Sequence, residues 1–211
     1  MRLRISAIAL LGFASLASAS TVYDEGVTGD ISGAGATPTP ITLSLGTNTL
    51  IGSLRTSSAT DNQDFLQVTI PAGLALQSYV HTLYTSTDAQ GFTGFRVGST
   101  FTVSTGLAGS YNGYAHFGSA ATNGSLPAQS TVGVDLFPWM ADNSAGGTSA
   151  GAAGFAIPLS SGVYTFLIQQ TGSGPTTAYQ FDFNVVPEPA SLGVVLLGGA
   201  MLAAGRRTRL R

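Results

Sequence analysis

The chain has 211 residues, 9% of them charged and 44% hydrophobic, with no cysteine, no lysine and a formal net charge of −2. Between positions 20 and 186 only Arg55 and Arg96 are basic, against Asp24, Glu25, Asp30, Asp61, Asp64, Asp88, Asp135, Asp142 and Asp182, so an acidic body is framed by two basic ends. Such a body excludes nucleic acid as a partner, which needs clustered Lys or Arg, and the lack of cysteine excludes disulfides and thiol chemistry.

Taken in chain order, the N-terminus reads as a secretory signal peptide. Arg2 and Arg4 form the positive region, residues 5–16 the apolar run, and Ala17-Ser18-Ala19 the cleavage site, with the cut after Ala19. Residues 20–186 are the right length for one domain with one core. Residues 21–40, rich in Gly, Ala, Thr and Pro, predict an extended arm or edge strand. Ile41, Leu43 and Leu45 alternate with Thr42 and Ser44 as in a half-buried strand; residues 46–48 read as a turn, and Leu50 and Ile51 open the partner. In 64–70, Leu66, Val68 and Ile70 share one face and Gln67 and Thr69 the other, closed by Pro71-Ala72-Gly73. Residues 74–84 form a longer strand with Leu74, Leu76 and Val80 on one parity and Tyr79, His81 and Leu83 on the other, so both faces are partly covered.

Residues 92–103 are broken by Gly94 and Gly98; 105–130 read as loop with a short strand at 114–117, and 132–139 as a further strand. Residues 141–154 are nearly all Gly, Ala, Ser, Thr and Asn, a flexible loop by composition. Tyr164, Phe166 and Ile168 then alternate, residues 172–175 turn, and Tyr179, Phe181, Phe183 and Val185 alternate with Gln180, Asp182 and Asn184, which predicts a terminal antiparallel hairpin. No ten-residue helical period appears between the two ends. Eight to ten strands predict an all-β fold, an antiparallel β-sandwich of jelly-roll-like type, flanked by an N-terminal signal helix and a C-terminal transmembrane helix.

Residues 187–211 have three parts: Pro187-Glu188-Pro189, an uncharged apolar run over 190–205, and a basic tail with Arg206, Arg207, Arg209 and Arg211. As a helix the run is about 24 Å long against a hydrocarbon core of about 30 Å, a short span that arginine stems reaching to the headgroups can complete. The arginines put the C-terminus in the cytoplasm. Pro-Glu-Pro, apolar helix and terminal arginines together resemble the PEP-CTERM sorting signal of Gram-negative bacteria. The resemblance implies recognition and cleavage near the tripeptide by exosortase, a membrane-embedded cysteine transpeptidase. It makes Pro187, Glu188 and Pro189 the sorting motif and the four arginines the cytoplasmic stop. A membrane-anchored precursor, crossing the inner membrane transiently, would give a mature form at the cell surface or in extracellular polymer. The body, through Asp61-x-x-Asp64-Phe65, Ile70-Pro71-Ala72-Gly73 and Ser161-Gly162-Val163-Tyr164-Thr165-Phe166, is similar to the bacterial pre-peptidase C-terminal domain, which implies a non-catalytic accessory or adhesive module.

Gly147-Thr148-Ser149-Ala150-Gly151 spells the nucleophile-elbow pattern, but it lies in Gly/Ser loop and the histidines, His81 and His116, precede it, so it is read as a chance match. Both histidines are read as packed or hydrogen-bonded rather than as metal ligands. Asp61, Asn62 and Asp64, or Asp135 with Asp142 and Asn143, could supply calcium oxygens; without the spacing of a known loop they are read as cap or turn residues. Tyr111, Tyr114, Phe117 and Trp139 could line a sugar-stacking face, with core packing the preferred reading. Asn123-Gly124-Ser125 matches the glycan acceptor sequon. No catalytic residue, cofactor or metal ligand is assigned. The expectation is a non-enzymatic exported protein with extracellular polysaccharide as its candidate ligand; the alternatives are a secreted hydrolase using paired carboxylates and a glycosylated structural matrix protein.

Overall fold

A computed structural model describes residues 18–55, 61–170, 172 and 176–188. Among the described residues there are ten strands: β1 Ser18–Asp24, β2 Thr39–Thr42, β3 Gly46–Leu54, β4 Gln63–Ile70, β5 Leu74–Thr85, β6 Gln90–Val97, β7 Gly113–Gly118, β8 Val134–Asp135, β9 Gly162–Gln170 and β10 Thr177–Pro187. Two short helices, α1 Glu25–Thr28 and α2 Phe137–Ala141, join them. The strands form two five-stranded sheets, β1-β3-β10-β5-β8 and β2-β4-β9-β6-β7, packed face to face. The all-β sandwich expected from the alternation is therefore present, but its sheets are mixed: β1 runs parallel to β3, and β2 parallel to β4. Among the described residues no helix is long and apolar enough to cross a membrane. The predicted signal helix and transmembrane helix lie outside the described residues.

The core is aromatic. Tyr79 stacks on Phe181 at 4.5 Å, Phe95 stacks on Phe166 at 5.1 Å, and Tyr79 meets Phe166 edge-on at 5.3 Å, joining the sheets. Offset and edge geometries of this kind add about 0.5–1.5 kcal/mol per pair beyond the area buried. A second cluster of Phe65, Phe101, Tyr111 and Leu167 covers the outer face of the second sheet.

Several local expectations change. β9 and β10 do not form a hairpin: β9 pairs with β4 and β6, and β10 with β3 and β5. Both strands carry aromatic rings on one face, and these faces meet across the sandwich, where Phe166 lies 5.4 Å from Phe183. Residues 46–48 belong to β3 rather than to a turn; Gly46, at φ 103°, turns the corner, and the Asn48 side chain bonds the backbone of Ser44. In β5, register shifts against β10 fall between Leu76 and Ser78 and between His81 and Leu83. The first of these, which leaves Gln77 as the extra residue, puts Leu76 on the same buried face as Tyr79 and His81 despite its differing parity. The predicted strand over 132–139 is the two-residue β8 followed by α2, where Pro138 occupies the first turn, the helical position that needs no N–H.

Candidate functional site

One edge of the sandwich gathers acidic side chains from separate stretches of the chain. β1 ends at Asp24, whose side chain accepts from the Gly26 N–H at 2.9 Å and caps α1. That cap turns Glu25 inward: one carboxylate oxygen accepts from Ile31 N–H at 3.0 Å, the other from Ser53 N–H at 2.5 Å and from the Ser53 hydroxyl at 3.2 Å. Burial raises the Glu25 pKa, opposed by those backbone donors and reinforced by Asp30. Asp30 is exposed beyond α1.

Asp64 is the centre of the group. It shares the parity of Leu66, Val68 and Ile70 in β4, so it points into the sandwich and is 0% exposed. From the opposite sheet, Tyr179 of β10 donates its hydroxyl to Asp64 Oδ2 at 2.5 Å. Among the described residues Asp64 Oδ1 has no hydrogen-bond partner. Burial, with the Glu25 charge adding to it and the Tyr179 bond opposing it, pushes the Asp64 carboxyl up to about 9. One carboxylate oxygen from each of Glu25, Asp30 and Asp64 lies within 4.8 Å of the other two. Asp61 stands beside them, its pKa raised by burial and by Asp30 and lowered by Arg55, with which it pairs at 3.6 Å. Glu25, Gly26, Asp30, Ser53, Arg55 and Asp61 line an open cleft of about 320 Å³.

The structure regroups the residues singled out from the sequence. Asp64 is not joined with Asn62 but with Glu25 and Asp30, neither of which the sequence reading considered as a ligand. Asp135 Oδ1 accepts the Tyr79 and Phe137 N–H groups, and Asp142 accepts from Ser144; both are turn and cap residues. Ser149 is fully buried on a turn without the strand and helix an elbow requires, and its hydroxyl accepts the Tyr114 N–H at 2.9 Å. His81 is buried, with Nδ1 on the Thr131 hydroxyl at 2.8 Å, and burial pushes its pKa down to about 4. His116 Nδ1 lies 2.9 Å from the Thr122 carbonyl oxygen. The sequon side chain of Asn123 is 2% exposed and bonds both the N–H and the carbonyl of His116.

The four aromatic residues do not form one platform. Phe117 is in the main core, Tyr111 and Tyr114 belong to the outer cluster, and the half-buried Trp139 lines a cavity of about 210 Å³ with Asn123, Ser125, Leu126, Pro138 and Asp142. Of the predicted processing residues, Ala19 lies exposed in β1 and Pro187 ends β10 opposite Leu74. Glu188 donates its N–H to the Gly73 carbonyl at 2.9 Å, and its carboxylate accepts the Ser161 N–H at 3.0 Å, a bond that lowers its pKa. Ala17, Pro189, Arg206, Arg207, Arg209 and Arg211 lie outside the described residues. Compared with protein-family models, with curated proteins and with solved structures, the chain matches none.

Proposed function

We propose that this chain is a non-enzymatic exported protein with a jelly-roll-like body, carried across the inner membrane by residues 1–19. An exosortase then sorts it at Pro187-Glu188-Pro189 to the cell surface or the extracellular polymeric matrix. The observation that carries the reading is the position of the motif: Pro-Glu-Pro begins on the last residue of β10 and is followed at once by the apolar run and the arginines. A cut near the motif leaves the β10 ladders intact up to Val186, so the mature body keeps its core strand. At the other end, cleavage after Ala19 removes two exposed residues of β1, Ser18 and Ala19, and leaves the pairing of Ser20 to Asp24 with β3. Extracellular polysaccharide is the ligand class this reading favours, and the Trp139 cavity, with a ring beside the exposed Ser125 hydroxyl and the Asp142 carboxyl group, has the chemistry for a sugar.

The test is the intact mass of the protein recovered from its producing cells, with and without replacement of Pro187, Glu188 and Pro189 by alanine. Loss of residues 1–19 and of the arginine-bearing tail in the wild type, with the tail kept in the variant, is the expected result. A wild-type protein that keeps its C-terminal arginines overturns the sorting assignment.

A further inference from the structure

We propose that Glu25, Asp30 and Asp64 form a calcium-binding site that ties the N-terminal edge of one sheet to the core of the other. Their oxygens all lie within 4.8 Å of one another, no farther apart than the roughly 4.6–5.2 Å that is the greatest separation of two ligands on one cation bonded at about 2.3–2.6 Å. The donors are anionic oxygens with no imidazole or thiolate among them, which selects a hard cation over zinc or copper.

The second observation is independent of the clustering of charge. Asp64 is 0% exposed, yet its Oδ1 has no donor. Buried polar atoms in folded proteins are nearly always partnered, so an orphaned oxygen on Asp64, whose carboxyl group lies beside two further carboxylates, marks a place that a proton satisfies in the metal-free protein and a cation satisfies once that proton is displaced. Arg55, the basic residue on the cleft wall, is mostly exposed and pairs with Asp61 instead. Tyr179 leaves Oδ1 untouched because its hydroxyl is committed to Oδ2.

Access and geometry agree. Asp30 is exposed and Glu25 half-buried, and both line the cleft; Asp64 is buried and does not line it, but has a carboxyl oxygen within 4.8 Å of theirs, so an ion held by Glu25 and Asp30 at the cleft is within reach of the buried carboxyl. Three carboxylates leave coordination positions for water or backbone carbonyls, which suits the six to eight flexible ligands of calcium better than the tight octahedron of magnesium. Because Glu25 opens α1 and Asp30 follows its end, directly after β1, while Asp64 lies on β4, the bound ion clasps the edge strand to the second sheet.

The experiment uses the full chain in detergent, stripped with EDTA and dialysed. Calcium chloride and magnesium chloride are titrated by calorimetry, and the thermal midpoint is followed up to about 10 mM cation, above the roughly 10⁻⁴–10⁻³ M dissociation constants of extracellular calcium modules. Calcium should bind and raise the midpoint, with magnesium weaker. Asp64→Asn keeps an acceptor for Tyr179 and removes the capacity to give an anionic ligand, and it should weaken calcium binding by at least about tenfold. Asp30→Asn, at an exposed position that does not support the fold, should weaken it as well and keeps the test decisive if Asp64→Asn fails to fold. No calcium response in the wild type, or variants that respond as the wild type does, overturns the site; equal responses to both cations overturn its selectivity.

Discussion

Asp64 holds a carboxyl group where the same face of its strand otherwise holds leucine, valine and isoleucine. In the metal-free protein this has a signed consequence. The folded carboxyl titrates at about 9, against about 3.9 in an unfolded chain. Between those values the folded state keeps a proton that the unfolded state has released, so stability is highest below the unfolded value and is lost as pH rises toward the folded one. Asp64→Asn removes that proton from the cycle while keeping the acceptor for Tyr179. In EDTA the variant should unfold at a higher temperature than the wild type at pH 8, with the gap narrowing toward pH 5. Parallel pH profiles for the two proteins would show that Asp64 is not the titrating group. His81 acts in the opposite direction: held near 4 by burial, it leaves the unfolded chain to take up protons as pH falls below about 6.5, so its contribution is lost on the acid side.

At the scale of elements, the reach of Tyr179 across the sandwich depends on a glycine in the neighbouring strand. Gly52 of β3 is paired with Tyr179 of β10, and a Cβ at Gly52 would collide with the phenol ring and its hydroxyl. Here glycine is required by close approach, since its φ is not in the left-handed region. Gly52→Ala should cost about 1–3 kcal/mol by overpacking, read as a lower urea midpoint. Because the displaced hydroxyl is the one bonded to Asp64, the variant should also shift the pH dependence of stability, an effect that an alanine elsewhere in β3 would not produce. The bulges of β5 work at the same scale. By adding Gln77 against β10, the first of them lets a strand with no single apolar parity still bury Leu76, Tyr79 and His81 together.

At the scale of the molecule, the two sheets share one core, and Phe166 is where they interlock: it stacks on Phe95 in its own sheet and meets Tyr79 and Phe183 of the opposite sheet. Phe166→Ala should cost about 3–5 kcal/mol, a large part of the roughly 5–15 kcal/mol that holds a domain of this kind folded. Urea unfolding followed by tryptophan fluorescence and by far-UV circular dichroism should give a single coincident transition, shifted to lower urea. Separate transitions for the two probes would mean that the sheets unfold independently.

Much of this architecture could be read from alternation alone. Leu66, Val68 and Ile70 in β4, and Tyr179, Phe181, Phe183 and Val185 in β10, alternate with polar neighbours because each strand buries one face, a period that needs no knowledge of the partner strand. The same parity carried a signal that sequence reasoning passed over: Asp64 stands on the buried face of β4, where a carboxylate requires a partner. What alternation does not carry is which strands meet. β9 and β10 look like a hairpin because they are neighbours in sequence, yet they lie in different sheets and their aromatic faces meet across the sandwich. Likewise Glu25 and Asp30 look like ordinary loop acids until the parallel pairing of β1 with β3 carries α1 to the start of β4. Local periodicity thus determined most of the strands, and composition the acidic character of residues 20–186. Strand order, the sheet each strand joins and the gathering of three distant carboxylates were decided only by tertiary packing, because they depend on burial between faces that no single segment contains.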